Sequence, residues 1–204
     1  MITIIDYGVG NIQAFLNAYN RLSIPAATAR TSDELRSARK LILPGVGAFD
    51  NAVKRLEDSG MRAMLDELVL HKGVPVLGVC VGMQMLVGSS EEGVLPGLGW
   101  MQGRVASLRG LKGASELPLP HMGWNDVRPV SDNGVFAHLD VGPRFYFLHS
   151  FYLEDIRDED TLATSNYGSD FCVAVRKDNI FGVQFHPEKS HQCGTRLLKN
   201  FAEL

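Results

Sequence analysis

A chain of 204 residues with 45% hydrophobic content is long enough for one well-buried core and is read as one domain over residues 1–204. A formal net charge of −3 with no basic run gives no electrostatic footprint for nucleic acid or an anionic membrane surface, so neither partner is expected. Cys80, Cys172 and Cys193 form no C-x-x-C pair, which argues against a zinc site or disulfide framework and suits a reducing compartment. The opening Met1-Ile2-Thr3-Ile4-Ile5-Asp6 carries an acid too early for a signal peptide, and no apolar run reaches transmembrane length, so a cytoplasmic protein is expected.

In chain order, Ile2 to Asp6 reads as a buried strand, Tyr7 to Asn11 as a turn and Ile12 to Leu22 as a helix, which makes a βα unit. The glycines of that turn lack the third spaced glycine of a dinucleotide loop, so a tight turn is the better reading. Ala26 to Ala29 reads as a second strand, Ser32 as a helix cap before Asp33 to Ala38, and Lys40 to Leu43 as a third strand leading into Pro44-Gly45-Val46-Gly47. Helices over Phe49 to Glu57 and Met61 to His71 follow, with Gly60 between them and Gly73 as a stop. Repeated βα units imply right-handed crossovers and a parallel sheet, with ligands beyond the carboxyl ends of the strands.

Val74 to Gly88, V-P-V-L-G-V-C-V-G-M-Q-M-L-V-G, reads as a buried strand, a sharp turn at Gly78-Val79-Cys80-Val81-Gly82 and a helix start. Flanking glycines permit the turn that lifts a central side chain out of a sheet, and a helix N-terminus favours thiolate over thiol. Taken alone, the motif fits a small buried cysteine equally well. Beyond Gly88 the runs Gly103 to Leu108, Trp124 to Val130, Arg144 to Tyr152, Thr161 to Ser165, Phe171 to Arg176 and Ile180 to Phe185 read as short strands of a mixed extension. A last helix, capped at or near Ser190, places Leu197, Leu198, Phe201 and Leu204 at helical spacing.

A cysteine nucleophile needs a base and a group that orients the base. In Gly182 to Ser190, G-V-Q-F-H-P-E-K-S, an extended backbone would turn His186 and Glu188 to one face, with Pro187 opposing a helix. H-x-E alone fits a surface pair better; the elbow upstream shifts the balance towards catalysis. His71, His121, His138 and His191 have no ligand-like spacing with acids or cysteines, so no metal is assigned, and no cofactor is implied.

G-V-C-V-G-M-Q followed by F-H-P-E-K-S resembles the class I, triad-type glutamine amidotransferases. That resemblance implies a flavodoxin-like α/β fold: a mostly parallel open sheet flanked by helices, with an antiparallel or mixed extension in the second half. It assigns Cys80 as nucleophile, His186 as base and Glu188 as orienting acid. It makes Pro44 to Gly47 the oxyanion strand, with backbone N–H groups near Val46 and at Val81 facing the oxyanion. Substrate contacts carried over are Gly47, Gln84, Glu92, His149, Ser150 and Phe151. A solvent-facing Gln84 and a solvated Glu91-Glu92 pair are the rival readings there. P-G-V-G-A-F, H-M-G-W-N and Y-F-L-H-S resemble a subgroup that supplies ammonia from L-glutamine to a (β/α)8-barrel synthase in histidine biosynthesis, as a heterodimer. H-M-G-W-N argues against the glutaminases of pyridoxal phosphate, anthranilate or aminodeoxychorismate synthesis, while a noncatalytic module on the same fold is opposed by the intact triad. Within the subgroup pattern, Trp124, Asn125 and Lys189 are expected to face the partner, although a core Trp and a solvated Lys fit the residue types alone.

Overall fold

The computed structural model describes residues 1–131 and 134–204. Its elements run β1 (Ile2–Ile5), α1 (Ile12–Arg21), β2 (Ala26–Ala29), α2 (Ser32–Leu35), β3 (Leu41–Gly45), α3 (Phe49–Asp58), α4 (Arg62–Asp66), β4 (Val76–Cys80) and α5 (Val81–Gln84). The second half adds β5 (Arg104–Ser107), β6 (His121–Asp126), β7 (Arg128–Pro129), β8 (Arg144–His149), β9 (Phe151–Glu154), β10 (Thr161–Tyr167), β11 (Ser169–Lys177), β12 (Ile180–Val183) and α6 (His191–Glu203).

Ten strands form one sheet in the order β2-β1-β3-β4-β12-β11-β10-β7, with β9 and β5 continuing from β11. From β2 to β12 the neighbours are parallel, and beyond β12 they are antiparallel. This is the mostly parallel sheet with a mixed extension. β4 and β12 lie at its centre, and all residues of both are buried, as continuous apolar runs between parallel neighbours require. That central position sets the elbow at the end of β4 and the His186 segment just past the end of β12 side by side. α1 turns Phe15, Ala18 and Tyr19 inwards at helical spacing, and α6 buries Leu197, Leu198 and Phe201.

Several sequence boundaries move. Pro44 and Gly45 belong to β3, paired with Val79 and Cys80, so the strand runs further than Leu43. The short second helix is capped by Thr31, whose side chain accepts from the Glu34 N–H at 3.3 Å, and not by Ser32. The Met61 to His71 helix is α-helical only over Arg62–Asp66 and widens to a π-turn over Glu67–His71. Ser190 does not cap α6 through its hydroxyl, which donates to the His186 carbonyl at 2.6 Å and accepts from the Tyr146 N–H at 3.0 Å. Leu204 lies past α6 and is exposed.

The run Arg144 to Tyr152 is two strands in different sheets. β8 pairs with β6 in a separate two-stranded ribbon, while β9 pairs with β5 and β11 in the main sheet, and the chain changes sheets at Ser150. The Trp124 to Val130 run divides in the same way, into the end of β6 and β7. In the ribbon, His121↔His149 and Gly123↔Phe147 alternate with Met122↔Leu148 and Trp124↔Tyr146. The first set faces inwards, with His121, Phe147 and His149 buried; of the second, Met122, Trp124 and Leu148 are exposed large hydrophobics.

Candidate active site

Cys80 closes β4 with φ 56° and ψ −114°, a backbone conformation that a non-glycine residue rarely adopts. Close packing holds it there. A Cβ on Gly82 would come within 2.0 Å of the Leu43 carbonyl oxygen, one on Gly45 within 2.2 Å of the Gly82 nitrogen, and one on Gly78 within 2.6 Å of the Gly82 oxygen. The three glycines let β3, β4 and the start of α5 approach backbone to backbone. The helix start expected after the elbow is a single turn, α5, Val81–Gln84.

The polar groups around the sulfur come from the residue just past β12 and from β8. Gln184, fully buried, donates from Nε2 to Cys80 Sγ at 3.8 Å, and the Leu148 carbonyl lies 3.9 Å from the sulfur. His186 donates from Nδ1 to Glu188 Oε1 at 2.9 Å, with side chains 3% and 1% exposed. A 3-10 turn over Pro187–Lys189 brings Glu188 back to the ring, in place of the extended segment expected from sequence. Burial by itself depresses the His186 imidazolium; hydrogen bonding to Cys80, then to Glu188, outweighs it and pushes the value up to about 9. Glu188 Oε2 is buried without a hydrogen-bond partner among the described residues, so His186 is the cation this carboxylate faces.

Cys80, Val81, His186 and Gln84 line one cavity of about 340 Å³ with Val46, Gly47, Glu92, His149, Ser150 and Phe151. Its size suits a small molecule. The chain thus brings together the expected triad, oxyanion and substrate residues, apart from Glu188, which stands behind His186. Gln84 is buried, and its Nε2 hydrogens go to the Phe151 carbonyl and to Gln184 Oε1, both at 3.1 Å, leaving Oε1 as its remaining polar atom. Glu92 and Glu91 separate cleanly. Glu92 lines the cavity and accepts from the Phe49 N–H at 2.9 Å, whereas Glu91 pairs with Arg104 at 2.7 Å. His149 is a buried neutral imidazole, held down to about 3 by burial and then by the field of His121.

Trp124 is 39% exposed, its ring parallel to that of His191 and edge-on to Tyr146, and is therefore not a core residue. Lys189 lines the catalytic cavity and sets its ammonium 5.7 Å from the centre of the Tyr146 ring. Asn125 spends its side-chain donor inside the chain, on His121 Nε2 at 3.1 Å and on the Asn166 carbonyl at 2.8 Å. Sequence reasoning missed Gln184, Pro120 and Leu148. A glutamine inside the apolar run Ile180 to Phe185 was the available signal for the first, since a polar side chain in a buried strand requires a partner. Pro120 and Leu148 carry no such signal. A larger groove of about 820 Å³ beside α6, lined by Arg21, Cys193, Arg196 and Lys199 among others, contains none of the triad residues.

A cysteine on a strand-to-helix elbow, beside a histidine held by a carboxylate at the carboxyl edge of an open α/β sheet, defines a cysteine-dependent hydrolase or transferase. The chain belongs to the class-I glutamine amidotransferases, whose family model, "Glutamine amidotransferase class-I", matches residues 3–204. It is 59% identical, over the full length of both chains, to imidazole glycerol phosphate synthase subunit HisH of Bdellovibrio bacteriovorus. To the subunit of the same name from Leptospira interrogans it is 51% identical, again over all of both chains. Among solved structures, PurLQS of Thermotoga maritima superposes with a TM-score of 0.75 at 17% identity, over 99% of this chain and 97% of that one. The glutaminase domain of Trypanosoma brucei CTPS gives 0.64 at 15% identity, over 99% and 93%. These two show a shared fold.

Proposed function

We propose that the chain is the glutaminase subunit of imidazole glycerol phosphate synthase, working as a single amidotransferase domain over residues 1–204. The observation that carries the chemistry is the His186 to Glu188 contact at 2.9 Å, with His186 and Cys80 lining the same cavity. The identity of the subunit rests on the full-length likeness to HisH proteins.

In this reading His186 takes the proton of the Cys80 thiol, the thiolate attacks the side-chain amide carbon of L-glutamine, and the carbonyl π electrons move to oxygen. Backbone N–H groups of Val46 and Val81 hold that oxyanion. The tetrahedral species collapses as protonated His186 gives its proton to the departing nitrogen, releasing ammonia and leaving a glutamyl thioester. Neutral His186 then takes a proton from water, whose hydroxyl displaces the sulfur, so glutamate leaves and Cys80 is restored. Glu188 keeps the imidazole in one tautomer and stabilises its cation. Gly47, Gln84, Glu92, His149, Ser150 and Phe151 form the glutamine site.

Ammonia released to water would be protonated and lost, so the subunit works docked on its cyclase partner, a (β/α)8 barrel, as a cytoplasmic heterodimer. The partner uses the ammonia to form imidazole glycerol phosphate and AICAR in histidine biosynthesis. The exposed ribbon face of Met122, Trp124 and Leu148, with Lys189 at the cavity wall, supports a docking surface at the mouth of the site. The test is Cys80→Ala in the assembled complex. Glutamine-driven synthesis should vanish while synthesis from ammonium salts persists; glutamine-driven synthesis at the wild-type rate would refute the assignment.

A further inference from the structure

Behind the glutamine site runs a hydrogen-bonded chain whose direction is determined at every link. His149 Nδ1 lies 2.8 Å from the Phe151 carbonyl oxygen. A carbonyl only accepts, so the proton of this imidazole sits on Nδ1 and Nε2 is bare. His149 Nε2 in turn lies 2.9 Å from His121 Nδ1, which must therefore carry its own proton there. His121 Nε2, now bare, accepts from Asn125 Nδ2 at 3.1 Å. The orientation of the Asn125 amide is set independently, because Nδ2 also donates to the Asn166 carbonyl and Oδ1 accepts from the Asp126 N–H, each at 2.8 Å. Burial keeps both imidazoles neutral, His121 near 4 and His149 near 3, so a single proton on each ring is the state the geometry demands.

The rings are also clamped. His121 lies between Phe147 and Tyr167, with ring centroids at 4.7 and 4.3 Å and interplanar angles of 23° and 29°. At the far end, the Phe151 carbonyl receives a second hydrogen bond from Gln84, whose other hydrogen goes to Gln184, which donates to Cys80 Sγ. The chain thus reaches from β6 to the segment lining the cavity and on to the nucleophile.

We infer that His121, acting through His149, is a positioning residue for glutamine binding: by forcing the proton of His149 onto Nδ1 it fixes the Phe151 carbonyl, and with it the Ser150 and Phe151 backbone that faces the substrate. This rests on the glutaminase reading above. It assigns His121 no proton transfer; the group acts by holding one tautomer of its neighbour.

Two measurements test it. Long-range ¹H–¹⁵N spectra of the full-length wild-type chain should show His121 and His149 both protonated at Nδ1 and bare at Nε2; a His149 protonated at Nε2 would overturn the inference whatever the variants do. In the complex with the barrel partner, His121→Leu should raise the KM for glutamine about tenfold, the worth of one hydrogen bond, with a smaller change in kcat. His121→Asn, which can return a donor to the place of Nδ1, should restore most of that loss. Equal KM for wild type and His121→Leu, or failure of His121→Asn to rescue a folded His121→Leu defect, sinks the proposal. Should His121→Leu not fold, the tautomer spectra and the KM of His121→Asn decide. A wild-type complex that does not hydrolyse glutamine would instead remove the functional reading beneath it, a result separable from the spectra.

Discussion

Glu188 meets His186 through one oxygen at 2.9 Å and keeps its other oxygen buried, without a hydrogen-bond partner among the described residues, so the carboxylate is aimed at a single group. Replacing it with the isosteric amide keeps the shape and removes the charge. Glu188→Gln is expected to lower kcat by about 10³–10⁴-fold, the scale seen when the orienting acid of a triad loses its charge, with a smaller change in KM. Steady-state glutaminase assays of the complex give both constants. A change confined to KM would make Glu188 a substrate contact and leave the base without its orienter.

The protonation of His186 follows from its neighbours. Its folded value, about 9, lies above the 6.5 of a free histidine, so the proton stabilises the fold below about 6.5, and that contribution is lost as pH rises through about 9. Glutaminase activity, which uses this proton to expel ammonia, should fall on the alkaline side near the same pH. Hydrogen bonding to Cys80 is the largest effect raising the value, so in Cys80→Ala the ring should titrate lower, because burial then acts against a smaller opposing set. An NMR titration of the His186 ring in both proteins checks this, and an unchanged value in the variant would rule out the coupling.

Gly82 tests the elbow as a packing device. Its missing Cβ leaves room for the Leu43 carbonyl oxygen, 2.0 Å from where that atom would stand. The three nearest atoms, of Leu43 and Pro44, are all backbone, so neither a rotamer change nor a side-chain shift relieves the clash. Gly82→Ala should cost about 1–3 kcal/mol or more of stability and displace Cys80, lowering both Tm and kcat. Thermal melts paired with kinetics are the readout, and a variant melting with the wild type would show that the start of α5 is free to move away from β3.

Trp124 and Lys189 test the docking surface. With Trp124 39% exposed and stacked on His191, its truncation leaves the apolar core untouched. Trp124→Ala is expected to weaken partner binding by about 2 kcal/mol or more, as for an aromatic hot spot, while the circular dichroism spectrum of the free subunit stays the same. Lys189→Ala should weaken docking or partner-stimulated turnover, since Lys189 joins the cavity wall to the ribbon through Tyr146. Wild-type titration curves for both variants would move the interface to another face.

The amino-acid sequence by itself determined the βα alternation, the elbow glycines around Cys80, the H-x-E pair and the mixed second half. Each of these is written in short-range chemistry: apolar period, turn residues, and a nucleophile flanked by residues without side chains. Tertiary structure decided what lies between segments distant in the chain. Ser150 moves the chain from the ribbon to the main sheet because β8 and β9 find different partners, and no local propensity records which strand a neighbour will pair with. Glu92 entered the site and Glu91 left it because Arg104 and the Phe49 N–H each claimed one of two adjacent identical residues. Gln184, His121 and His149 acquired their roles in the same way. A buried polar group must find a partner, and only the packed chain brings β6, β8, the end of β4 and the segment past β12 close enough to supply one.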